Sequence, residues 1–433
     1  MLRHILARWL AITTLLALAS CSAAPAPAVQ PTARPEPTAS LAGAINRIAI
    51  IESEGVVYTV DPDGGNRAEV NTSGTIPSAA LVWSFDSSRL AFTVIDGDRA
   101  ELIAADAQGN NRASIFTGRH ADAPFYLYWS PDNRHVAFLK PDADNGITLQ
   151  VAPEETGIRR PIAQGQPNYF SWSPRGDRLA LHLGGANGFV GTYTLGEAEV
   201  KRSEYEPALF QAPAWSPAGT AYLFAREQRS SLDELVAIGD GGANPIASFA
   251  GRIAFAWSAD GTRIAYSVSR SNQPHYAEMI VVEADGNRRR RLVVHDHFAF
   301  FWSRDSKRIA YLTGRVASPS VIGQTRRTAD GLAAPRVDQA GSEIELTWHV
   351  VEVESGRARE LVSFRPTEHF ASVVGFFDQY TQSITFWSPD SRYLLLAGRL
   401  PGLATGVYHV DTLSGDDGVT RVGPGEFGIW SWH

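Results

Sequence analysis

The chain has 433 residues, 44% of them apolar, with eleven tryptophans, 38 glycines, 25 prolines and one cysteine, and a formal net charge of −7. That length suffices for one large core or for two or three smaller domains. An acidic balance without a basic footprint argues against a nucleic-acid partner, and a single cysteine excludes a disulfide framework within the chain.

Arg3 and Arg8 precede an apolar run from Leu10 to Ala19. This is the length of a signal-peptide core and is short for a membrane span. The run ends in Leu18-Ala19-Ser20-Cys21, which resembles a bacterial lipobox. The resemblance implies cleavage before Cys21 and lipid attachment on its sulfur, so residues 1–20 read as a lipoprotein signal peptide and Cys21 as the lipidation site. Ser22 follows, with no aspartate at that position. This resembles sorting to the outer membrane, facing the periplasm, in a double-membrane bacterium. In a single-membrane organism it implies the outer face of the cell membrane. Residues 21–44, rich in Pro, Ala, Thr and Ser, cannot build a core. They read as a tether reaching on the order of 70 Å at about 3.1 Å per residue.

From residue 45 a repeat takes over. Tryptophan followed by serine occurs at Trp83, Trp129, Trp172, Trp215, Trp257, Trp302, Trp387 and Trp430, at spacings of 46, 43, 43, 42, 45, 85 and 43. A period in the low forties is that of a propeller blade. Each phrase reads as a short strand, a Ser-Pro-Asp turn, a second strand such as "RLAF" or "RIAY", a third such as "MIVVEAD", a Gly-rich turn such as "DPDGGN", and a last strand. Pro and Asp suit the turn. The fifth phrase position (Ser87, Asn133, Gly176, Gly219, Gly261, Ser306, Ser391) holds residues common in turns, of which Gly and Asn tolerate a left-handed backbone. The tryptophan is expected to wedge between neighbouring blades. The fold class is all-β, a single β-propeller over residues 45–433. Eight four-stranded blades are expected, with seven as the alternative, and the ring closes by pairing "FGIWSW" near the C-terminus with strands from 47–70. The 85-residue spacing is attributed to two insertions in one blade, at about 315–342 and 363–384.

The phrase "WSPDG-R-I/L-A-F/Y" followed by "DADGGN-R-R-L", carried best at 129–138, 257–266, 302–311 and 387–391, resembles the TolB-type repeat, which is WD40-like. The resemblance covers nearly all of 46–433 and implies fold rather than activity. TolB itself has an extra N-terminal domain and six blades, so its role in envelope maintenance is not transferred. The repeat also resembles the propeller half of dipeptidyl-peptidase-like enzymes. No G-x-S-x-G elbow of their hydrolase domain occurs.

Ser-Pro-Asp and Asp-Gly turns fall on one face of such a ring. Second-to-third-strand loops, blade crossovers and both insertions fall on the other, and extra loop length on a rigid scaffold is where binding resides. The candidate binding residues on that face are Arg119, His120, Asp122, Glu204, Glu206, His275, Tyr276, His295, Asp296, His297, His369, Asp378 and Tyr380. Hydrogen-bonded histidines explain His295-Asp296-His297 better than a metal site. "DPDGGN" reads as a hairpin turn rather than a calcium loop, and "NRRRR" at 287–291 as edge-protecting arginines. No cofactor, metal or catalytic residue is expected. The expected function is a lipid-anchored, non-catalytic envelope module that binds a protein or peptide. The alternatives are a polysaccharide- or cell-wall-binding module and an enzyme working at the central channel.

Overall fold

Most Trp-Ser phrases in the ring fold by one local mechanism. The hydroxyls of Ser84, Ser258, Ser303 and Ser388 donate to Asp86, Asp260, Asp305 and Asp390 at 2.5–2.6 Å. The same oxygens accept the backbone N–H that opens the next strand, as at Arg89 (2.9 Å), Arg263 (3.0 Å) and Tyr393 (2.8 Å). The chain turns back through a left-handed residue at the fifth position, with φ of 61° at Ser87, 60° at Asn133, 70° at Gly261 and 58° at Ser306. Serine and asparagine there are held against the αL penalty by the turn itself.

The computed structural model describes residues 46–433, apart from 78–79, 143–145, 154–159, 185–187, 229–231, 271–272, 274, 316–343 and 415–417. The expected signal peptide, tether and Cys21, and all of the first insertion except Arg315, lie outside the described residues. Residues 45–433 form one compact unit. Among the described residues the strands make six four-stranded antiparallel sheets and one seven-stranded sheet. Sheets 2 to 6 are consecutive meanders spanning 81–119, 126–164, 168–202, 214–249 and 253–293. The seven-stranded sheet 7 is a four-stranded meander, 299–366, joined to a three-stranded one, 393–423, through the pairs Arg365–Arg399 and Pro366–Gly398. Trp387 bridges to Leu394 beside that second group, so the last full phrase supplies its inner edge. Sheet 1 closes the ring as expected. Phe427–Trp430 pairs antiparallel with Ile48–Ile51, from Ile48–Trp430 to Ile51–Phe427, and leaves no free inner edge between the two ends.

Two kinds of bond tie neighbouring sheets, and both occur at the junctions made by Trp302 and Trp387. The indole N–H of Trp172 donates to the Tyr128 carbonyl of the preceding sheet at 3.1 Å. Trp257 does so to Ala214 (3.2 Å), Trp302 to Ala256 (3.3 Å) and Trp387 to Phe301 (3.1 Å). On the turn side the fifth residue of the following phrase accepts from the preceding turn. Asn133 Oδ1 takes the Asp86 N–H (3.2 Å), Ser306 Oγ that of Asp260 (3.0 Å) and Ser391 Oγ that of Asp305 (3.0 Å). The largest fully buried side chains include Trp83, Trp129, Trp348 and Trp430.

The second insertion begins later than expected. Leu361, Val362 and Phe364 are buried strand residues and the strand Ala358–Pro366 continues through them, so 363–366 belong to the sheet. Two helices follow, α1 (Glu368–Val374), capped by the Thr367 side chain, and α2 (Phe377–Tyr380). No helix among the described residues is long and apolar enough to cross a membrane.

Trp430 combines full burial with membership of the closing strand. Trp430→Ala is expected to cost about 3–5 kcal/mol, read as a lower midpoint in chemical denaturation. A loss below about 1 kcal/mol would contradict the role given to this closure.

Candidate functional site

Of the two helices after residue 366, α1 packs on sheet 7 through Phe370, against Trp348, Phe364 and Phe386, and α2 lies at the ring axis. Helix α2 is four residues long, yet it packs against the inner strands Asn168–Trp172, Ile253–Trp257 and Ala299–Trp302. The Tyr126 hydroxyl donates to the Gln379 carbonyl (3.0 Å), and the Phe170 N–H donates to Gln379 Oε1 (3.2 Å). The Ala212 N–H donates to Asp378 Oδ2 (3.0 Å), and the Gln382 side chain to the Pro213 carbonyl (3.1 Å). The Phe377 ring meets Tyr276, Phe300 and Phe301 edge-on, at 5.1–6.0 Å between centroids. One short segment that touches sheets 3, 4, 6 and 7 and the residues leading into sheet 5 can do so only at their common centre. The second insertion is therefore a plug bonded into the inner strands.

Asp378 is the ionisable group of the plug, 2% exposed. With the Gln211 amide oriented so that its nitrogen faces Asp378, that nitrogen donates to Oδ1 at 2.5 Å, and the Gln211 oxygen accepts from Arg252 at 3.3 Å. Burial pushes the carboxyl up to about 6, against the hydrogen bond from Ala212 and the nearby Arg252 charge. Burial likewise raises the Tyr126, Tyr169, Tyr276 and Tyr380 phenols. His182, stacked on Phe210 with ring centroids 4.0 Å apart and bonded to the Gln211 carbonyl at 2.8 Å, is lowered to about 4 by burial. The cluster is a set of neutral aromatics around one marginal carboxylate.

The candidate residues divide into three groups. Tyr276, His297 and Asp378 are buried and Tyr380 is half-buried. Their expected presentation to solvent is corrected, because the aromatic content that marked 363–384 as functional is spent on filling the axis. His297 Nε2 bonds Ser267 Oγ at 2.8 Å and Nδ1 bonds the His295 carbonyl at 3.0 Å. Burial lowers it to about 4, so both ring nitrogens serve the fold. A second group is brought together on the loop face: His275 Nε2 lies 3.3 Å from Asp296 Oδ2, and His295 lies 6.2 Å from His349 between ring centroids. These border a polar cleft of about 360 Å³ whose lining includes His295, Asp296, Arg315, Glu345, His349 and Glu360. The third group is scattered. Arg119 pairs with Asp122 (3.3 Å) around the turn at His120, Glu204 and Glu206 are exposed on another crossover, and His369 sits 3.8 Å from Glu426. No group of three metal-ligating side chains occurs among the described residues.

The sequence reading missed Gln211, Arg252 and Gln379. Only "GFFDQY", an aromatic run around one acid and one amide, marked this region. The "NRRRR" arginines are tied down as expected at an edge: Arg288 to Glu283 (2.9 Å), Arg291 to Glu278 (2.9 Å), and Arg290 to the Val353 carbonyl of the next sheet (2.8 Å). "DPDGGN" is a hairpin turn in which Asp61 binds Arg47 (2.8 Å) and Asn66 (2.6 Å).

No protein-family profile matches the chain, and no curated protein does. Solved structures do resemble it. A eukaryotic initiation factor aligns at 12% identity over 89% of this chain and 98% of its own, with a TM-score of 0.50. The dihydro-heme d1 dehydrogenase NirN, in complex with DHE, aligns at 14% identity over 88% and 74%, with a TM-score of 0.51. TolB proteins are among the similar structures, as the repeat phrase suggested. TolB from Acinetobacter baumannii aligns at 18% identity over 56% of this chain, with a TM-score of 0.36, and the match spans 62% of that protein. At these identities the likeness is one of fold, a β-propeller, and carries no activity.

A carboxyl whose folded value lies above its unfolded one binds its proton more tightly in the native state. Its ionisation therefore lowers stability as pH rises from about 4 to about 6. Asp378→Asn removes this dependence, whereas the lowered histidines, which act in the opposite direction, are common to both proteins. The stability of the variant relative to wild type is expected to rise across that window by roughly 1–3 kcal/mol, measured by urea denaturation at a series of pH values. A flat difference would show that Asp378 titrates as it does in the unfolded chain.

Proposed function

We propose that the protein is a lipid-anchored envelope scaffold that binds a protein or peptide partner through the loop face of an eight-bladed ring and has no catalytic role. The observation that carries this reading is the plug. Its buried carboxylate and amide are spent on hydrogen bonds to Ala212 and Phe170, so the axis is built as core, and recognition falls to the loops around it. The Leu18-Ala19-Ser20-Cys21 sequence and the proline-rich stretch after it supply the anchor and the reach of the scaffold.

The polar cleft at His295, Glu345, His349 and Glu360 favours a polysaccharide as the second reading. Carboxylates and imidazoles are groups that hold a polyhydroxylated ligand by hydrogen bonds.

Two experiments test the proposal. Cys21→Ser is expected to abolish labelling by a fatty-acid analogue and to move the protein from the membrane to the soluble fraction. Retention at the membrane would remove the anchor from the account. Cross-linking capture from envelope extract then compares the intact ring with one whose residues 316–343 are replaced by a short Gly-Ser loop, both shown to melt alike. Loss of the partner from the trimmed ring supports the binding reading. Equal capture by both moves the site away from this loop. Capture by neither, together with retention on wall polysaccharide or turnover in a hydrolase and lyase screen, would replace the reading.

A further inference from the structure

One junction of the ring carries an alanine where the other phrases carry a large side chain. The residue that opens the second strand of a phrase is Arg89, His135, Arg178, Arg263, Arg308 or Tyr393, but in sheet 5 it is Ala221. In two junctions this residue covers the tryptophan of the next sheet. The Arg178 guanidinium lies 4.6 Å from the Trp215 ring centroid, and that of Arg308 lies 5.6 Å from Trp387. Each arginine also donates to the carbonyl of the fifth residue in that next phrase, Arg178 to Gly219 (3.4 Å) and Arg308 to Ser391 (2.7 Å). A cation over an indole face and a carbonyl beside it make one compact guanidinium site.

At the junction of sheets 5 and 6 the receptor half of that site is present without its arginine. Trp257 is held by its own N–H on Ala214 and is half-buried, whereas Trp215 and Trp387 are buried. The Gly261 carbonyl, equivalent to those of Gly219 and Ser391, accepts no hydrogen bond among the described residues. The other filling positions are small as well. Ala218 stands where most turns carry aspartate, and Gly261 where Ser306 and Ser391 make the second tie. The outer hairpin of sheet 5 is shortened to a tight turn, with Gly239 paired to Gly242. An open cleft of about 550 Å³ results, lined by Trp257, Gly261, Ala221, Gly239 and Gly242, with the Asp260 carboxylate at its edge.

We infer that this cleft binds an arginine side chain supplied by a partner polypeptide, its guanidinium stacked on Trp257 and bonded to the Gly261 carbonyl. The chain's own Arg178 and Arg308 sites are the templates, and Asp260 adds the complementary charge. The cleft lies on the turn face, opposite the loop face. It rests on the proposed function only in taking the partner to be a polypeptide, and its test does not involve residues 316–343.

The test is ¹⁹F NMR of the protein labelled with 5-fluorotryptophan, the Trp257 resonance being assigned with Trp257→Phe. Acetyl-Gly-Arg-Gly-amide and its neutral citrulline analogue are titrated separately. The Trp257 resonance is expected to move saturably with the arginine peptide, and the citrulline peptide to bind about tenfold more weakly or not at all. Ala221→Arg supplies the missing side chain from within and is expected to abolish the response. Ala221→Leu fills the same space without charge and decides the matter if the arginine variant folds poorly. An equal response to both peptides, no response at Trp257, or an undiminished response in both Ala221 variants would overturn the inference. Loop-dependent capture of a partner would stand in any of those cases.

Discussion

The indole N–H bond from one sheet to the backbone carbonyl of the sheet before it is the constraint on which the ring depends. It recurs at Trp172, Trp257, Trp302 and Trp387. At those four junctions it fixes where one sheet sits against the next and buries a large aromatic surface at the same point, while the indoles of Trp83, Trp129 and Trp215 make no such bond among the described residues and serve their junctions by packing. A ring built from such contacts tolerates added length between its phrases. The Ser-Asp bond, the left-handed fifth residue and the tryptophan form one local unit. The long spacing between Trp302 and Trp387 shows the tolerance: helices α1 and α2 are accommodated while Trp387 still reaches the Phe301 carbonyl.

Much of the fold was legible because its determinants are local. The turn needs particular residues at fixed offsets, and the strand that follows needs apolar alternation. Both are visible along the chain, and so is the closing of the ring by 427–430 on 48–51. The site was less legible because its determinants are not local. Asp378 is joined to Ala212, and Gln379 to Phe170 and Tyr126, across more than 160 residues of sequence. Linear spacing placed the second insertion on the loop face but could not tell an exposed aromatic loop from one folded inward. Phe370 and Phe377 are core residues, and their presence was the signal that the segment has a buried destination. In the same way His297, read as a rim histidine, is held by Ser267 and a backbone carbonyl.

The repeat also makes its own exceptions informative. An alanine at 221 means little alone, but against arginine, histidine or tyrosine at the equivalent positions it marks a place where one junction was left open. The plug and the open junction are complementary departures from the repeat, one filling space that the ring geometry leaves and the other leaving space that the ring ordinarily fills.

The central claim is that the segment after residue 366 is part of the core of the ring. Amide hydrogen exchange tests it most directly, at Phe170 and Ala212, whose N–H groups end on Gln379 and Asp378. The account predicts that both amides exchange as slowly as those of the inner strands and that Asp378→Ala selectively speeds Ala212. Exchange at the rate of an exposed loop at both amides in the wild-type protein would contradict the plug and return the ring axis to solvent.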